Sequence, residues 1–170
     1  LERHHRITRK CLDILFAHGF RVVVLTRAAR ILDDLALFAD NPRSLVGFSV
    51  PTDQDRFRRI FEPGADPIEE RLEALEAFHR AGVPTLAVVQ PVLPMDADRL
   101  VELVAPRVGA VRIDRMYFLQ HVRHLYREQG LEKFMTDAYF DQTVRRLEQG
   151  FRARGIRIEE LDDLSALVPV

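Results

Sequence analysis

Residues 45–94 constrain the fold more than any other stretch. LVGFSV is an apolar run of strand length, a polar turn follows, and RFRRIF makes a short helical segment. EPGA then breaks the chain before the amphipathic stretch IEERLEALEAFHR, and a second apolar run, PTLAVVQ, ends in PVLP. Two buried strands joined through helices must run parallel, and a parallel sheet needs helices to cover it. In such sheets binding groups gather beyond the carboxyl ends of the strands, so the pattern locates a site as well as a fold.

The alternation extends in both directions. Residues 20–26 (FRVVVLT) form a compact β-branched run with the profile of a fully buried strand. A helix is expected over 28–40, with Ile31, Leu32, Leu35, Leu37 and Phe38 inward, and Asn41-Pro42 stops it. The second strand spans 44–50, where Gly47 permits close approach of a neighbour. A short helix over 53–61 is capped by Thr52 or Asp53, and Asp66-Pro67 supplies a cap and a first-turn proline for the next. That helix carries Ile68, Leu72, Leu75 and Phe78 on one stripe and ends at Gly82. A third strand over 84–90, a helix over 96–105 and a fourth strand over 110–116 complete the series. Ahead of it, residues 7–18 place Ile7, Cys11, Leu12, Ile14 and Leu15 on a helical stripe, with Cys11 read as a small core residue. A β/α series whose first element is a helix lacks its preceding strand, and residues are expected upstream. After Tyr117 two helices, 121–129 and 131–154, precede a late edge strand over 156–161. The expected architecture is α/β: a partial (β/α) barrel of parallel strands over 1–117, then a helical extension over 118–170 that packs on the barrel.

Charge and cysteine usage narrow the function. Twenty-five basic and 26 acidic residues give a formal net charge of −1, without the basic footprint of a dedicated nucleic-acid module. The longest apolar runs are a few residues, far short of the ~20 that span a bilayer, so no membrane association is expected. The single cysteine, Cys11, fits a reducing cytoplasm. One thiolate cannot hold an iron–sulfur cluster, which takes three or four.

The strand ends offer Thr26-Arg27, Ser49-Val50-Pro51-Thr52, Gln90-Pro91 and Asp114-Arg115-Met116-Tyr117. An arginine, a serine, a glutamine and an Asp–Arg pair suit a carboxylate or a ribose. Asp114, Arg115 and Tyr117 are the candidate substrate contacts. His121 and His124 are three apart on a helix but lack a third ligand, and read as solvated. Glu69, Glu70, Glu73 and Glu76 with Arg71 and Arg80 read as a solvated helix face. No Gly-rich phosphate loop and no Gly-x-Ser-x-Gly occurs.

Several segments, in order, resemble one known group. LERHHRITRKCLDIL resembles a Pro-Leu-Glu-Arg…Thr-Arg stretch leading into a helix, and HGFRVVVLTRAARILDDLALF a His-Gly-Phe strand with its Arg-Asp-Leu helix. Phe48-Ser49-Val50, the RIFEPGA run, EERLEALEAFHRAGVP and Gln90-Pro91-Val92-Leu93-Pro94 follow. Over about residues 1–117 the chain resembles the later part of a radical S-adenosylmethionine protein of the spore photoproduct lyase-like, or DNA repair photolyase, group. The resemblance implies a lyase-like enzyme with a [4Fe–4S] cluster and S-adenosylmethionine, which yields a 5′-deoxyadenosyl radical. It implies that Glu2, Arg27, Ser49, Gln90 and Pro91 contact S-adenosylmethionine, with Glu2 at its amino group and Gln90-Pro91 beside the adenine. The group's three-cysteine motif is not in this sequence, and Arg27, Gln90 and Met95 stand where the group has lysine, alanine and glycine. The chain alone is therefore expected not to cleave S-adenosylmethionine. Nucleic acid is a partner implied only by the group's name, and the substrate is open. Two other readings fit the same residues: a β/α-barrel lyase or isomerase acting on a small anionic metabolite through Arg27 and Arg115, and a non-catalytic barrel-derived binding module.

Overall fold

The structure, a computed structural model, describes residues 2–159 and Val168. Five strands, β1 (Val22–Thr26), β2 (Ser44–Ser49), β3 (Thr85–Val89), β4 (Ala110–Ile113) and β5 (Arg157–Ile158), form one sheet in sequence order. Every neighbouring pair is parallel. Among them run α1 (Glu2–His5), α2 (Ile7–Ala17), α3 (Leu35–Ala39), α4 (Asp55–Phe61), α5 (Ile68–Arg80), α6 (Ala97–Val104), α7 (Leu119–Glu128) and α8 (Asp137–Ala153). The expected partial barrel is what the chain forms.

Strand order equal to sequence order, with crossovers of one hand, puts the helices on one face. The alternation of side chains shows it. Val22, Val24, Val46, Phe48, Ala87, Val89 and Val111 enter the large core with α2, α5, α6 and α8. An edge-to-face aromatic run, Phe16–Phe38–Phe78 with centroids 5.7 and 5.5 Å apart, ties α2, α3 and α5 together in that core. Leu45, Leu86, Val88 and Ala110 point the other way and form a small separate cluster with Val168 and the half-buried Val23. The sheet thus has a convex face under helices and a concave face built from strand side chains.

Five expectations are corrected. The first strand is not fully buried: β1 lies at the sheet edge, Phe20 and Leu25 are exposed, and only Val22 is fully covered. Cys11 is exposed rather than core, because α2 turns Leu12 inward and leaves Cys11 on its outer side. The 28–40 helix starts as a tight 3₁₀ segment, Ala29–Asp34, before α3. The caps also differ. The Asp66 carboxylate accepts from Ala29 N (2.7 Å), so Pro67 takes the cap position of α5 while Asp55 Oδ1 accepts from Ile68 N (3.3 Å). Thr52 Oγ1 donates to Pro94 O at 2.7 Å, and Gln54, not Thr52 or Asp53, starts α4. The fourth strand is shorter than expected, since Asp114–Met116 leave the sheet; of the late strand, residues 160 and 161 lie outside the described residues.

Residues beyond 118 are not apart from the sheet. α8 packs on α6, and β5 extends the sheet beside β4. Aromatic contacts run from α4 outward: Phe61 to Tyr126 of α7 (4.6 Å), Phe57 to Phe134 (6.2 Å), and Phe134 to Tyr139 of α8 (5.0 Å). The Tyr139 hydroxyl donates to Leu93 O (2.9 Å) and accepts from Met95 N (3.1 Å), which fixes the loop after β3. No helix among the described residues is long and apolar enough to cross a membrane.

Candidate functional site

The site builds from the carboxyl ends of β1–β4. At the end of β1 the side chain of Arg27 is more than half exposed, and its Nε lies 2.5 Å from Glu62 Oε1. Glu62 follows α4, and its carboxylate is nearly buried. The other oxygen, Oε2, accepts from Arg71 Nη1 at 2.8 Å. Arg71 is the one residue of its supposed solvated face that is wholly buried. It stands three residues after Ile68 and four before Leu75, on the stripe that faces the sheet.

Ser49 ends β2 on the concave side. Its Oγ is buried and has no hydrogen-bond partner among the described residues. The register carries the same level across the sheet, from Ser49 to Val88 of β3 and on to Arg112 of β4. Arg112 donates through Nε (2.9 Å) and Nη2 (2.8 Å) to Asp114 Oδ2, and the Tyr117 hydroxyl lies 3.4 Å from Asp114 Oδ1. Gly47 makes room for the Leu25 side chain of β1. A β-carbon there would run into the Leu25 side chain and stand 3.3 Å from Leu86 O. Gln90 and Pro91, joined by a cis peptide, sit half-buried just past β3.

Two predicted residues lie apart from this group. Arg115 turns to α8, where it pairs with Asp137 and with Asp141 (3.3 Å). Glu2 accepts from Thr8 N with both oxygens (3.1 and 3.2 Å) at the start of α2. It lines a cleft of about 770 Å³ beside β1 that Arg6, Arg9, Asp34 and Asp66 share. His121 and His124 are exposed, and no group of three or more metal-ligating side chains exists among the described residues.

The sequence reading missed three residues of the site. Arg112 had a signal: a charge between Val111 and Ile113 inside a strand must face the less covered side. Arg71 had one in its spacing from Ile68. Glu62 had none, because only the fold brings the EPGA turn to the end of β1.

Chemically, the strand ends present a guanidinium for a carboxylate, a spare buried hydroxyl for a polar partner, and a half-apolar trough ending in an Arg–Asp–Tyr set. They bind and orient. An iron–sulfur cluster does not fit this chain's own residues: the sequence has one cysteine, exposed on α2, and a cluster takes three or four thiolates. S-adenosylmethionine does fit the donor set, through its carboxylate at Arg27 and a hydroxyl at Ser49 Oγ.

An uncharacterized protein, ORF301, of Acidianus two-tailed virus is 24% identical over 116 residues, which cover 65% of this chain and 38% of that protein. The chain thus spans less than two fifths of this relative's length. No solved structure matches it. Residues 1–104 match the Radical SAM superfamily, which takes in the whole of β1, β2 and β3 with their helices. The chain belongs to the radical SAM superfamily.

Proposed function

We propose that this chain forms the S-adenosylmethionine-binding wall of a cytoplasmic radical S-adenosylmethionine enzyme akin to the spore photoproduct lyase-like group. One observation carries the reading: Arg27 and Ser49, whose Oγ has no partner among the described residues, stand at adjacent strand ends. In this superfamily S-adenosylmethionine, bound at a [4Fe–4S] cluster, supplies a carbon-centred radical. This chain's part is to hold and aim the ligand. Arg27 takes the ligand carboxylate as a charge-assisted pair, and the Ser49 hydroxyl donates to a ribose oxygen. Gln90 and Pro91 form the wall beside the adenine. The substrate lies further along the strand ends, toward Arg112, Asp114 and Tyr117. DNA as substrate rests on the group resemblance alone, and a net charge of −1 speaks against tight duplex binding.

Calorimetric titration of the chain with S-adenosylmethionine tests this. One equivalent is expected to bind, with Ser49→Ala and Arg27→Ala each weakening it about tenfold, the loss of one hydrogen bond to a charged or buried partner. A chain that takes up none, or variants that bind like the wild type, would overturn the reading. Anisotropy of a labelled duplex, rising only at low salt, is the expected outcome for DNA.

A further inference from the structure

We infer that Arg71 is a positioning residue that fixes Arg27 relative to Ser49; this rests on Arg27 being the contact for the S-adenosylmethionine carboxylate. Arg71 is 0% exposed. A guanidinium cannot shed its proton in a protein, and burying it costs several kcal/mol before partners are counted, about as much as an apolar residue there would avoid. Packing alone does not call for it.

Two of its nitrogens account for the placement, while Nη2 is buried without a partner among the described residues. Nε donates to Asp66 O (2.8 Å), and Nη1 donates to Ser49 O (2.9 Å) and to Glu62 Oε2 (2.8 Å). From these three acceptors two routes lead to Arg27. Along the backbone, Asp66 N donates to Arg27 O (3.2 Å), and the Asp66 carboxylate accepts from Ala29 N two residues on. Along the side chains, Glu62 holds Arg71 with one oxygen and Arg27 with the other. The main chain and the guanidinium of Arg27 are therefore both set by the same buried cation. The Ser49 carbonyl is held by it too, so the ends of β1 and β2 share one reference point.

The test compares two ligands on the whole chain: S-adenosylmethionine and 5′-methylthioadenosine, which lacks the amino-acid carboxylate. The wild type is expected to prefer the first at least tenfold, and Arg27→Ala to erase the preference. Glu62→Gln and Arg71→Lys, shown folded by circular dichroism, are expected to cut the same preference fivefold or more, with no further loss when Arg27→Ala is added. If Arg71→Lys does not fold, Glu62→Gln decides alone, because its amide oxygen still accepts from Arg71. Folded Glu62→Gln protein with the wild-type preference, or with both ligands weakened equally, would show a structural role only and overturn the inference. Failure of the underlying reading looks different: the wild type binds neither ligand, or Arg27→Ala keeps the preference.

Discussion

Gly150 of α8 lies against Val101 of α6 so closely that a β-carbon on the glycine would stand 2.9 Å from Val101 Cγ2 and 3.2 Å from Cγ1. Two opposing effects follow from replacing it. Alanine favours a helix interior by about 1 kcal/mol over glycine. Against that, a β-branched neighbour cannot rotate away, and overpacking costs about 1–3 kcal/mol. Gly150→Ala is therefore expected to lower the unfolding free energy by about 1 kcal/mol in urea. A cycle with Val101→Ala should be non-additive, with the alanine harmless once the valine branches are gone.

Two tyrosines, one buried and one half-buried, should answer hydroxyl removal differently. Tyr139 bridges Leu93 O and Met95 N, so Tyr139→Phe is expected to cost about 1–2 kcal/mol. The Tyr126 hydroxyl is buried with no partner among the described residues, so Tyr126→Phe is expected to be neutral or slightly stabilising. Burial pushes both phenols above the ordinary value of 10.0. Their neutral forms are favoured in the fold, so this stabilisation is complete below pH 10.0 and is lost as the pH rises above it. Ultraviolet titration should show the Tyr126 and Tyr139 phenols ionising only as the chain unfolds.

Asp55 carries a dependence at the other end of the scale. Its carboxylate accepts from Arg58 Nε (2.9 Å) and Nη2 (2.9 Å), from Arg59 Nε (3.0 Å) and from Ile68 N (3.3 Å). The Arg58 guanidinium above all holds it well below the ordinary 3.8. A depressed carboxyl stabilises above its unfolded value and loses that contribution as the pH falls. Asp55→Asn is expected to cost about 1 kcal/mol at pH 7, with the gap to wild type closing below pH 3.8 in acid denaturation.

Arg112 and Asp114 neutralise each other on the concave face, with side chains only 10% and 12% exposed. Arg112→Ala strands the carboxylate and is expected to cost about 3 kcal/mol. Asp114→Asn keeps an acceptor for the guanidinium and should cost less, about 1 kcal/mol. Chemical denaturation of both variants checks the ranking.

The fold was readable because its signals are local. Strand-length apolar runs at 44–50 and 84–90 bracket a helix with a clear stripe, and crossover geometry leaves little choice of topology. Most of α5 could be placed from Ile68, Leu72, Leu75 and Phe78. What misled was neighbourhood. FRVVVLT reads the same in a central strand and in an edge strand, and nothing in it tells that Leu25 faces out. The stripe Ile7–Cys11–Ile14 likewise says apolar face, not covered face. In the site, Arg27 and Ser49 were legible from strand ends, whereas the Glu62 carboxylate joining Arg27 to Arg71 depends on a turn meeting a strand thirty-five residues earlier. Arg71 drew the wrong reading since three glutamates surround it in sequence and none touches it in space.

The division of the sheet into a helix-covered face and an opposite one has an evolutionary consequence. Phe48, Ala87 and Val111 answer for the core, so drift at those positions is checked by unfolding. At the carboxyl half of the other face Leu25 is half exposed, and the Ser49 hydroxyl has no partner among the described residues. Replacements of these two change what that face admits while leaving the scaffold's stability margin largely intact. Ligand preference can diverge among descendants of this chain faster than its architecture, along a row of positions set two residues apart on each strand.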